Sequence, residues 1–182
     1  MMIRRNRFNI YLMLALALGL AGGCRSPETK RKEAQARMSF NLEVSRGGPA
    51  QSQQVPVFRE NPVLINIQTE PFLTDANVLS AKVLNDVGGF SLQIQLDRDG
   101  TILLEQRTVA NRGMHFAVYC KWAVAPNWEL NAGRWIAAPQ FTHRITNGLL
   151  VFTPDTTREE AEQIAIGLNN VGKAAHDTPG FE

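Results

Sequence analysis

The stretch Phe90-Ser91-Leu92-Gln93-Ile94-Gln95-Leu96-Asp97-Arg98-Asp99-Gly100 decides the fold class. Phe90, Leu92, Ile94 and Leu96 alternate with Ser91, Gln93 and Gln95, so one face of a pleated strand is apolar and the other polar. A strand of that kind belongs to an antiparallel sheet covered on one side. Asp97 to Gly100 is turn chemistry, and Asp99 or Thr101 can cap a helix that runs to about Arg112 and stops at Gly113. A half-buried strand passing directly into a helix predicts an α+β domain.

Working outward, the same alternation predicts strands over 115–122, with Phe116, Val118, Cys120 and Trp122 on the buried face, and over 135–138 and 149–153. A final helix starts at Thr156 or Thr157, where Glu159 or Glu160 can complete a capping box. Its stripe of Ala161, Ile164, Ala165, Leu168 and Val171 follows the helical period. Upstream, strands are predicted over 79–85, ending in a Gly88-Gly89 hairpin turn, over 62–68 and over 38–44. Residues 46–56, rich in Gly, Pro, Gln and Ser, read as a loop, and 172–182 as a disordered tail. Strands outnumber helices, which places two helices on one face of an antiparallel or mixed sheet.

Residues 1–23 have the parts of an export signal: Arg4, Arg5 and Arg7, an apolar run over 10–20, and Ala21-Gly22-Gly23. Eleven residues make roughly 16 Å of helix against a hydrocarbon core of about 30 Å, too short for a permanent span. Leu20-Ala21-Gly22-Gly23-Cys24 resembles the lipobox of bacterial lipoproteins, in which the chain is cut before a diacylated Cys. The resemblance implies lipidation of Cys24, and Arg25 in place of Asp favours the outer over the inner membrane. Residues 24–37 read as the lipidated Cys and a flexible tether, and 38–171 as the domain. Cys120 is then the only other cysteine, so no intramolecular disulfide forms. The 182 residues carry 19 basic and 17 acidic side chains, and beyond residue 23 the balance is 16 minus 17, or −1. That near-neutral surface excludes nucleic-acid binding through a broad basic face.

Three segments carry a family resemblance. They are Phe72-Leu73-Thr74-Asp75 with Ala81-Lys82-Val83; Leu96 to Gly100 followed by Glu105, Thr108, Asn111 and Gly113; and Ile136-Ala137-Ala138-Pro139-Gln140-Phe141 with Ile145, Gly148, Glu159, Glu160 and Ala161. In this order, residues 73–171 resemble the head subdomain of the first periplasmic domain of SecD/SecDF. The resemblance implies a ferredoxin-like α+β arrangement and a place in Sec-dependent protein transport. SecD itself uses proton flow through six-helix membrane segments. No such segment is found in this sequence, which is therefore expected to be a stand-alone head and not the pump. Two departures are Asn169-Asn170-Val171-Gly172-Lys173, where the family exits toward a base domain, and an insertion over 123–134.

The chemistry-bearing candidates are few. Asp97-Arg98-Asp99-Gly100-Thr101 after an apolar strand resembles the first motif of haloacid-dehalogenase-like phosphatases, with Asp97 as nucleophile and Asp99 as general acid. That reaction also needs further carboxylates for Mg²⁺, a Lys for the phosphate and a parallel sheet. The remaining sequence offers no acidic pair after a strand, so strand exit, turn and helix cap is the preferred reading. His115, His143 and His176 stand without ligand-spaced partners, so no metal or other cofactor is expected. Trp128 and Leu130, on the insertion, are the candidate partner-binding residues; the alternative is that Trp128 folds back over the sheet edge. The expectation is a non-enzymatic, lipid-anchored periplasmic domain whose partners are the membrane and extended polypeptide or an envelope protein. A purely structural envelope lipoprotein is the remaining reading.

Overall fold

The structure, a computed structural model, describes residues 26–45 and 51–176. Cys24, the signal over 1–23 and the end of the predicted tail lie outside the described residues. The elements are α1 (Pro27–Glu33), β1 (Ala36–Leu42), β2 (Ser52–Val57), β3 (Val63–Gln68), β4 (Leu73–Thr74), a one-turn 3-10 helix (Asp75–Asn77), β5 (Val78–Asp86), β6 (Gly89–Leu96), α2 (Arg98–Ala110), β7 (Phe116–Val124), β8 (Glu129–Leu130), β9 (Arg134–Ala137), β10 (Leu149–Phe152) and α3 (Arg158–His176). This is the α+β class that the alternating strands and two longer helices predict.

The strands divide between two sheets and a separate hairpin. In the larger sheet the order is β4-β1-β7-β8, with β9 also on β7. β1 pairs antiparallel with β7 along its whole length, from Ala36↔Trp122 to Leu42↔Phe116. The smaller sheet has the order β10-β6-β5, antiparallel throughout. β5 and β6 join through a tight turn in which Gly88 takes φ +83, a conformation that costs a Cβ-bearing residue energy. One core holds the inner faces of both sheets, Leu104 of α2, and Ile164, Ala165 and Leu168 of α3. Phe40, Phe72, Phe116 and Phe141 meet within it, Phe116 and Phe141 stacked with centroids 4.6 Å apart.

The predicted loop over 46–56 is corrected: β2 occupies its second half and pairs with β3. Thr69 N donates to Gln51 O, which makes 51, 53, 55 and 57 the bonded positions and turns 52, 54 and 56 outward. Pro56 therefore sits where no ladder donor is needed. Only Val55 and Val57 face inward, forming with Ile65, Ile67 and Ala117 a second small core on the outer face of β7. Two apolar residues in six are too few to announce a strand.

The tether is corrected as well. Ser26 Oγ accepts the Thr29 N–H and starts α1, and Asn170 of α3 donates to the carbonyls of Arg31 and Ala34 at its far end. Ala34 and Ala36 are buried. The body thus begins at α1 and not at residue 38. At the other end α3 runs to His176, five residues past its predicted stop. Its start is as expected for Thr157: Thr157 N donates to Glu160 Oε2 and Glu160 N to Thr157 Oγ1. The cap of α2 moves back from Asp99 or Thr101 to Asp97, whose Oδ1 accepts from Gly100 N at 2.7 Å.

Candidate functional site

The carboxylates of the phosphatase motif are placed for structure. Asp97 is committed to the α2 cap, Asp99 is exposed in the first turn, and β6, which delivers them, pairs antiparallel on both sides. Among the described residues no group of three His, Cys, Asp or Glu side chains could hold a metal ion. Cys120 is fully buried, and burial pushes its thiol far above the ordinary range, so it lacks the thiolate that reactivity requires.

Trp128 and Leu130 lie on a β7–β8 hairpin formed by the insertion. Trp128, half-buried at φ +58, donates its N–H to Val124 O at 2.7 Å, and Leu130 pairs with Ala123. Leu130 remains exposed. Arg134, at the foot of the insertion, stacks over Trp122 at 5.4 Å and pairs with Asp155 and Glu160. Arg59 of the β2–β3 turn reaches the same two carboxylates. This partly exposed network joins hairpin, β9 and the start of α3, and its charges are satisfied within the fold.

The two edges of the smaller sheet differ. On β5, Ala81 points its main chain outward, and Asn169 of α3 answers both groups: Oδ1 accepts the Ala81 N–H and Nδ2 donates to the Ala81 carbonyl, each at 2.8 Å. That edge is closed to another strand. On β10, Leu96 N donates to Gly148 O, so 148, 150 and 152 bond to β6 while 149, 151 and 153 face away. Asn147 Oδ1 takes the Leu149 N–H. Val151 meets no main-chain partner on that side among the described residues and is 50% exposed.

Beside this edge lies a cleft of about 480 Å³. Phe116, Phe141 and Leu150 contribute apolar surface, and His143 and Arg144 stand among its polar lining residues. Its wall is pinned: Gln140 Nε2 donates to Gly113 O, Phe116 N to Pro139 O, and Ile145 N to Thr108 Oγ1. Arg144 grips Glu105 of α2 through Nε and Nη2. The sequence shows 149–153 as a strand but carries no sign that it ends a sheet. Trp128 and Leu130 belong to the far end of β7, eight residues from Phe116, or roughly 27 Å at ~3.4 Å per residue.

At the start of β7, Glu43 accepts the His115 N–H at 2.8 Å and sits 2.9 Å from its ring Nδ1. Burial works to raise the Glu43 carboxyl, but those hydrogen bonds and the imidazole's attraction outweigh it and hold the value below 4.5. A carboxyl lowered on folding contributes stability above its unfolded value, which is lost as pH falls through the folded one. Glu43→Gln should therefore flatten the decline of the melting temperature below pH about 4.5. Parallel declines in melts from pH 6 to 3 would contradict this.

Two antiparallel sheets, the smaller with one edge sealed and, among the described residues, one open, define an α+β domain by class. The sequence matches the family described as SecDF, P1 head subdomain, over residues 51–172, and the chain belongs to that family. Two solved structures are similar in fold. One is of SecDF, a membrane component that enhances protein export: 18% identity, TM-score 0.53, covering 82% of this chain and 70% of that one. The other is SecDF in a super-membrane-facing form: 18% identity, TM-score 0.52, covering 80% of this chain and 21% of that one. No curated protein matches the chain in sequence. Among the described residues no helix is long and apolar enough to cross a membrane.

Proposed function

We propose that this protein is a lipid-anchored, non-catalytic SecD-head-like domain on the periplasmic side of the bacterial envelope, where it contacts extended polypeptide in export. The observation that carries the reading is membership of the SecDF P1 head family. The relative described as enhancing protein export supports the process, and the lipobox-like Leu20 to Cys24 supports the attachment, with the outer membrane favoured by Arg25. The commitment of Asp97 to a helix cap supports contact over phosphatase chemistry.

The test uses the lipidated protein in liposomes and, as probe, a reduced, S-carbamidomethylated polypeptide that cannot refold. Saturable binding is expected, with the same polypeptide in its native folded form failing to bind. Binding no greater than to bare liposomes would remove polypeptide contact from the reading.

A further inference from the structure

The strand β10 offers an unused main-chain surface whose pattern of groups specifies its partner. We infer that an extended segment of polypeptide docks by adding a strand to the outer edge of β10; this rests on the polypeptide reading above and gives it a place. The edge presents, in order, the carbonyl of Leu149, the N–H and carbonyl of Val151 and the N–H of Thr153. Only another extended backbone supplies acceptors and donors in that alternation. The footprint has ends. Asn147 occupies the Leu149 N–H, and the next outward donor past Thr153, the Asp155 N–H, is given to Ile136 O.

The same fold shows that an open edge is not its default. Asn169 seals the β5 edge with two hydrogen bonds, whereas among the described residues β10 has no such cover, and no charge or proline interrupts Leu149-Leu150-Val151-Phe152. The adjoining cleft adds side-chain preference. Phe116, Phe141 and Leu150 offer apolar surface, while its lining includes His143 and Arg144 and no carboxylate. Because Arg144 is already paired with Glu105, the cleft's contribution to a docked segment is apolar contact and not charge. The recognition is largely sequence-tolerant because main-chain bonds carry it.

The test is amide hydrogen exchange on the lipidated protein in liposomes, with and without the unfolded S-carbamidomethylated polypeptide, combined with binding by Val151→Pro and Val151→Lys. The amides of Leu150 and Phe152 already bond to β6; those of Val151 and Thr153 do not. The polypeptide should slow exchange at Val151 and Thr153 selectively. Proline removes one donor and obstructs approach, and should weaken binding roughly tenfold or more. Lysine should weaken it too, and because Val151 is half-exposed it preserves the fold if proline does not. If the wild type binds the polypeptide while both amides exchange unchanged and both variants bind as before, the edge assignment is overturned and the functional reading stands. If the wild type binds no polypeptide, both fall. Protection that rises with protein concentration in the absence of polypeptide would assign the edge to a second copy and overturn the inference.

Discussion

Gly167→Val is expected to destabilise the domain by about 3 kcal/mol or more, the upper part of the range for overpacking a tight contact. A Cβ at 167 would stand 2.6 Å from the Ala36 N and 2.6 Å from the Gln35 carbonyl carbon. Both are backbone atoms, so neither can move without shifting the entry to β1, which pairs with β7 along its full length. Glycine inside a helix costs about 1 kcal/mol relative to alanine, and α3 bears that cost so that it can lie directly on β1. For a domain of this size the melting temperature should fall by roughly 6–12 °C. Gly89→Val, where a Cβ meets nothing within 4 Å, is the control and should change it little. Equal melting of the two variants would refute the close approach.

Cys24→Ser is expected to release most of the protein from the membrane fraction. A single acyl chain gives only marginal, reversible binding with an association constant of about 10⁴ M⁻¹, and stable attachment needs a second signal. A lipoprotein cysteine carries several chains at one residue, and serine accepts none. The basic trio Lys30, Arg31 and Lys32 on α1 is flanked by Glu28 and Glu33, which leaves it a weak substitute for acyl chains. The measurement is fractionation of envelopes from cells expressing each form, with mass spectrometry of the mature N-terminus. Retention of the serine form, or a mature chain without lipid, would defeat the anchor.

Much of the fold was legible because it rests on local periodicity. Phe90 to Leu96 announced β6 through alternation, and Ala161 to Leu168 announced α3 through its stripe. Thr157 and Glu160 form the box that their spacing allows. The α2 cap lies at Asp97, two residues before Asp99 and four before Thr101, because all three are competent capping residues and local sequence does not choose between them. The β2 strand was missed since only Val55 and Val57 among its residues turn inward. Asp97 and Asp99 stood out for their chemistry, whereas the open β10 edge left no local mark.

The sequence by itself determined the α+β class, the family, the buried and inert Cys120, and the residues on which an anchor would depend, since each follows from periodicity, residue type or a short motif. Tertiary structure decided how the strands divide between two sheets, that α1 belongs to the body through Asn170, that Gly167 must stay small, and that β5 is sealed while β10, among the described residues, is open. Those outcomes depend on hydrogen bonds and backbone contacts between residues about 90 to 140 positions apart. A backbone edge is open or closed according to what lies beside it in space, and the residues of the edge strand do not record that.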